Sequence, residues 1–392
     1  MRREPHAELP STGTIPTAET FETLERSANR WRPSRWTVCG ALALASVVGV
    51  GVFDTLVLEE PVRLPLSMTG RGWLLATFLV LLAWIGWPVV RDPRRLAVYW
   101  NRYPLNGPSV FGLGVVVTFF AVGVSAPHVL DPPTIGIPER MEQPPMFTSV
   151  SETFVRRCVG EVAGGRCYGT LEHPLGTDRQ GRDIATYVAY GTRTALEMAV
   201  LVSMIAVPIA VAVGVTAAYA GGWIDAALMR YVDVQQVVPA FFVYFVLYFF
   251  YGPSHTLLIV VFGLFSWGGI ARVVRIEVLA ERERAYVLAA RSAGAGRLSR
   301  IRRHILPNVG GTVVTAMTMQ IPFLIGAEAA LSFLDLGDPD VHSWGTLIAR
   351  GADAVHYRPW VTLVPGACLS VTILGFYLFG DSLQEVFDSR SR

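Results

Sequence analysis

Lysine is absent: all 33 of the Lys and Arg positions in this 392-residue chain are arginine. That absence excludes a Gly-x-x-x-x-Gly-Lys-Ser/Thr phosphate loop, a Schiff-base amine and a kinase-type lysine. Any ATP on which the protein's work depends must therefore be bound by another subunit. Histidine is sparse, and the 7 residues are scattered without metal-ligand spacing. No Ser or Cys has a recognisable base partner, so neither a catalytic centre nor a bound metal is expected, and the chain does not read as an enzyme. Charge is scarce too, at 16% of residues with a net of +2, and nothing marks a nucleic-acid partner.

What the chain has instead is apolar surface. It is 52% hydrophobic with a mean hydropathy of +0.42, which lies outside the soluble range and indicates a polytopic membrane protein. A helix needs roughly 20 apolar residues to cross the hydrocarbon core. Eight spans are expected, at 37–57, 72–90, 109–127, 193–219, 235–251, 255–271, 309–333 and 361–380. Residues 1–36 are polar, carry no signal-peptide pattern and read as a disordered cytoplasmic tail. The 91–108 loop has Arg91, Arg94, Arg95 and Arg102 against Asp92, while 128–192 and 334–360 carry more acids than arginines. The positive-inside rule then places both termini in the cytoplasm of a multi-pass cell-membrane protein.

The segment 272–308 is the least ordinary part of the chain, with nine arginines against three glutamates between two apolar spans. Tyr286, Ala289, Ala290 and Ala293 fall at i, i+3, i+4 and i+7, giving one small apolar helical face beside Arg291. Gly294 can take the left-handed conformation that ends a helix. Leu298, Ile301 and Ile305 begin a second stripe, which Pro307 is expected to stop. Small side chains let another protein come close while arginines surround the contact, so a docking elevation for a cytoplasmic partner is the first reading. The other is an amphipathic elbow lying on lipid headgroups.

Two further features stand out. Cys158 and Cys167 lie in the external segment, where disulfides survive, with Gly160, Gly164 and Gly165 free to turn between them. They are either bridged or two separate thiols. Glu328 sits inside an apolar span, where a carboxylate is expensive and faces a partner or a water-filled path. It either lines a translocation route or ties two helices together. Arg230 and Asp233, three apart, can pair at the inner membrane edge.

The arginine-rich segment resembles the cytoplasmic signature loop of binding-protein-dependent ABC importer permeases, Glu-Ala-Ala-x3-Gly-x9-Ile-x-Leu-Pro. Aligned on Gly294, this chain has Leu288, Ala289 and Ala290 before it and His304, Ile305, Leu306 and Pro307 after it. Leu288 replaces the signature Glu and His304 the signature Ile. The Arg-His-Ile-Leu-Pro-Asn ending is similar to the dipeptide/oligopeptide branch. So are His173-Pro-Leu-Gly-Thr-Asp178 with Gly181-Arg-Asp183, the set Asp225, Met229, Arg230, Asp233 and Pro239, and Leu331 to Gly337 with Trp344-Gly345. The ending from Gly380-Asp381 to Asp388 also matches.

The resemblance covers about 109–392 and implies an all-α, six-helix permease core, with the spans in 37–108 as additions. It implies a homologous second permease, two ATPase subunits carrying ATP and Mg, and an external solute-binding protein delivering di- or oligopeptides. Permeases for nickel or another small solute are built alike. An ion-coupled secondary transporter using Glu328 and Glu197 is the reading from outside the family.

Overall fold

The computed structural model describes residue 97 and residues 100–137 and 140–388. The expected tail 1–36, the spans 37–57 and 72–90 and residues 91–96, 98 and 99 of the basic 91–108 loop lie outside the described residues. The rest is a helical membrane body with a small subdomain between the helices Gly107–Val129 and Ile184–Ala220.

Five helical stretches are long and apolar enough to cross a membrane: Gly107–Val129, Ile184–Ala220, His255–Glu281, Arg297–Phe333 and Pro359–Phe387. A sixth is a broken pair, Gly222–Val237 and Ala240–Tyr251, bent by 65°. In chain order the helices are α1 (Gly107–Val129), α2 (Ile184–Ala220), α3 (Gly222–Val237), α4 (Ala240–Tyr251), α5 (His255–Phe265) and α6 (Gly268–Glu281). They continue with α7 (Ala285–Ser292), α8 (Arg297–Arg300), α9 (Leu306–Phe333), α10 (Trp344–Ala352) and α11 (Pro359–Asp388).

These elements change several expected boundaries. The span drawn at 235–251 is not one straight helix. Pro239 supplies no N–H and opens α4, which at 12 residues is about 18 Å long, too short to cross alone. The span drawn at 255–271 runs on to Glu281, through Ser266 and Trp267 in helical backbone. At that junction Gln235 Nε2 donates to the carbonyls of Leu264 (3.2 Å) and Phe265 (2.8 Å), satisfying backbone where lipid cannot. The span drawn at 193–219 begins earlier, at Ile184, because the Asp183 side chain accepts the Thr186 N–H and caps the helix.

Pro307 does not stop a helix. The chain passes from α8 through a π turn (Ile301–Ile305) directly into α9, with Pro307 in its first turn. The wider turn accommodates the ring and the missing donor.

Packing follows from small residues at four-residue intervals. Ala206, Ala210, Gly214 and Ala218 make a buried stripe on α2, and α6 lies against α2 with Ile270, Ala271, Val274 and Val278 buried. A Cβ on Gly214 would sit 2.6 Å from the Ala271 carbonyl oxygen, so the two backbones approach as only a glycine allows. Between α3 and α6, Arg275 makes a bidentate pair with Asp225 (2.5 and 2.5 Å), and Arg272 pairs with Asp233. The expected Arg230–Asp233 pair does not form, because α6 brings its own guanidinium to Asp233.

Between α1 and α2 the chain departs from purely helical structure. A three-stranded antiparallel sheet, order β1-β3-β2, is formed by β1 (Ser149–Ser151), β2 (Val162–Ala163) and β3 (Arg166–Tyr168). Gly164 and Gly165, both at positive φ, make the two-residue turn between β2 and β3. Cys158 and Cys167 are joined by a disulfide. The subdomain is seated on the start of α11 by Trp360 Nε1 donating to the Thr177 carbonyl and by an Arg358–Glu142 pair. Asp178 accepts from the Gln180 and Arg182 N–H groups and from the Arg182 guanidinium, a turn-forming role for the motifs around Gly176 and Gly181.

Candidate functional site

The arginine-rich segment becomes a compact projection between two long spans. α6 ends at Glu281, a turn follows at 282–284, and α7 runs for 8 residues. Gly294 has φ +84°; its N–H bonds the Arg291 carbonyl (3.1 Å) and the Ala295 N–H bonds that of Ala290 (3.0 Å). This pair of bonds is a Schellman stop, and a side chain at Gly294 would oppose the left-handed backbone it requires. Val287 is 1% exposed and anchors α7, with Ile305 and Val309 also buried.

Ala289 and Ala293 are exposed, Ala290 is half-buried, and Arg291, Leu306 and Pro307 are exposed. Tyr286 departs from the expected contact face. Its hydroxyl donates to the Glu281 carboxylate and accepts from Asn308 Nδ2 (3.0 Å), so it is used within the chain. Glu281, almost wholly buried, also pairs with Arg284 at 2.6 Å. Asn308 Nδ2 donates in addition to the His304 carbonyl (2.5 Å), and the His304 ring lies 6.0 Å from that of Tyr286. One knot therefore ties the end of α6, the start of α7 and the first turn of α9. Burial, with the hydrogen bond to Glu281 and its charge, pushes the Tyr286 phenol up to about 12, which keeps it a proton donor.

Sequence reasoning singled out Tyr286 but not its partner Glu281. A glutamate at the end of an apolar run reads as solvated, and only the fold of the 282–284 turn encloses it. The i, i+5 spacing to Tyr286 was the one available signal.

The two membrane carboxylates are internal. Glu328 is 3% exposed, accepts from Ser332 Oγ at 2.8 Å and is also hydrogen-bonded by Ser343, which N-caps α10. Glu197 pairs with Arg193, one turn earlier on α2, at 3.0 Å. Both are held by neighbours on elements of this chain. Glu328 links α9 to the start of α10 and does not face an open groove. Among the described residues, no three His, Cys, Asp or Glu side chains come together as a metal site.

Residues 210–392 match a family described as binding-protein-dependent transport system inner membrane component. The chain is 32% identical over 297 residues to the dipeptide transport system permease protein DppC of Bacillus subtilis, spanning 75% of this chain and 85% of that protein. It is 35% identical over 221 residues to the oligopeptide transport system permease protein OppC of Escherichia coli K12, spanning 56% and 73%. With the DppC protein of Lactococcus lactis the identity is 36% over 221 residues, 56% of this chain and 64% of that protein's length.

Proposed function

Because this chain belongs to the family of binding-protein-dependent transport system inner membrane components, we propose that it is the membrane-spanning permease subunit of an ATP-driven peptide importer. The observation that carries this reading is α7: a short helix, stopped by Gly294, that offers exposed Ala289 and Ala293 between two membrane-spanning stretches. The relatives named as dipeptide and oligopeptide permeases support peptides as the cargo.

In this reading the chain pairs with a homologous permease to enclose half of a path. Two ATPase subunits, which bind ATP and Mg, dock beneath α7, and an external binding protein delivers peptide from the side of the disulfide-bonded subdomain. Both termini are cytoplasmic. Closure of the ATPase pair pushes α7, and the Glu281–Tyr286–Asn308 knot transmits that push jointly to α6 and α9 because it is tied to both. The two helices then tilt as rods and open the path to the other side. The chain itself makes and breaks no covalent bond. Glu328 serves as an internal tie, and neither Glu328 nor Glu197, the two carboxylates of the ion-coupled alternative, is open.

Reconstitution with its ATPase and binding protein in proteoliposomes tests the reading. Uptake of a labelled dipeptide should require ATP and the binding protein and be indifferent to proton or sodium gradients. Gradient-driven uptake without ATP would contradict it.

A further inference from the structure

Behind α7, on the side away from Ala289, Ala290 and Ala293, lies a pocket of about 410 Å³ lined by Tyr219, Arg282, Glu283, Leu288, Arg291, Arg297 and Arg300. At 3.6 residues per turn, Leu288 and Arg291 lie on the helix side opposite the three alanines, so this pocket and the alanine face are separate surfaces. Four guanidinium groups converge against one carboxylate. Arg282 is used in part, with Nη1 donating to the Ala218 carbonyl at 2.8 Å and a long 3.8 Å approach to Glu283. Among the described residues, Arg291, Arg297 and Arg300 have no ion-pair partner, and Arg300 Nε is enclosed without any hydrogen-bond acceptor. Guanidinium groups gathered around one pocket with a single carboxylate among them suit an anion with several oxygens.

The pocket's place in the fold selects the anion. Tyr219 and Ala218 belong to the last turn of α2, where a membrane span ends, and tyrosine is enriched at that interfacial level. Leu288 and the Tyr219 ring give the wall an apolar margin beside the charge. Basic pockets at the inner ends of membrane helices suit phosphate-bearing headgroups. The geometry points to a binding site for the phosphodiester of an anionic phospholipid, held by Arg291, Arg297 and Arg300. The headgroup braces α7 from the membrane side and leaves the alanine face free.

The full chain in neutral detergent, titrated with short-chain phosphatidylglycerol, phosphatidylcholine or inorganic phosphate, tests this by thermal shift and native mass spectrometry. Phosphatidylglycerol should bind saturably and raise the melting temperature, and phosphatidylcholine should not. Arg297→Gln with Arg300→Gln should weaken phosphatidylglycerol by on the order of tenfold. Arg302→Gln, the same single-charge change as Arg291→Gln at an exposed position outside the pocket, should leave it unchanged. Far-UV circular dichroism checks the fold, and the single Arg291→Gln variant gives the same readout if the double variant is not recovered. Equal affinity in the pocket variants, or equal binding of phosphatidylcholine, overturns the proposal. Inorganic phosphate saturating the pocket at the lipid's own concentration would make it a free-phosphate site and overturn it as well. So would stoichiometric displacement of phosphatidylglycerol by an added ATPase subunit, which would assign the arginines to a protein contact.

Discussion

Single side chains decide how firmly α7 is held to the spans on either side of it. Removing the Tyr286 hydroxyl takes a donor from the buried Glu281 carboxylate and a partner from Asn308. Tyr286→Phe should therefore cost about 1–3 kcal/mol locally. Amide exchange in 285–296 should accelerate while exchange in the middle of α9 stays unchanged, as hydrogen-exchange mass spectrometry would report. Between α9 and α10, the His342 ring lies tilted against Tyr187 at 5.1 Å and 5.7 Å from Tyr190. Burial, then the charges of Arg182 and Arg350, hold its imidazole below the ordinary value of 6.5. The folded state thus takes up the proton less readily than the unfolded chain, so stability is fully present above 6.5 and falls as pH drops through the depressed value. Melting temperatures between pH 7.5 and pH 5 should fall more steeply for the parent than for His342→Gln; equal slopes would show that His342 is not the responsible group. Gly294 was legible in the sequence because a glycine after an eight-residue apolar-faced stretch has one main use. The Arg272–Asp233 and Arg275–Asp225 pairs were not, since the choice between a neighbour on the same helix and one across the interface depends on where α6 lies.

At the level of elements, hydropathy located each of the six spans within the described residues and met the ends at 251, 255 and 333, but misplaced the others. Apolar runs report the hydrocarbon core, whereas helices continue until a cap, a glycine or a proline intervenes. Asp183 starts α2 nine residues before its expected beginning at 193, and the π turn lets α9 absorb Pro307. Proline acts differently at Pro239, where no such adjustment follows and the span breaks by 65°. The short external strands carry too few residues to show an alternating pattern, so the sheet was invisible in sequence, although Gly164-Gly165 marked its turn. The α2–α6 contact gives the element-scale prediction. In Gly214→Leu the new side chain meets the Ala271 carbonyl and Val274, and the two helices must separate. Overpacking of this kind costs about 1–3 kcal/mol. The variant should show a lower melting temperature and a lower yield in detergent, while Gly310→Ala, whose Cβ meets nothing within 4 Å, should behave like the parent.

For the whole molecule, transport in the proposed direction needs α7 on the cytoplasmic side and the disulfide-bonded subdomain outside. In intact cells Phe147→Cys, 89% exposed, should react with a membrane-impermeant thiol reagent, and Arg291→Cys should resist it; the reverse would invert the topology. In the proposed mechanism α7 couples ATP hydrolysis elsewhere to movement here. The most direct measurement is peptide-stimulated ATP hydrolysis by the assembled importer carrying Gly294→Leu or Ala290→Glu in this chain. Leucine at positive φ costs roughly 1–2 kcal/mol and distorts the Schellman stop, and the carboxylate introduces charge into a small apolar face. Both variants should reach the membrane in normal amounts yet lose peptide stimulation and co-purify less ATPase. Parent-like stimulation and transport in both would contradict the role assigned to α7.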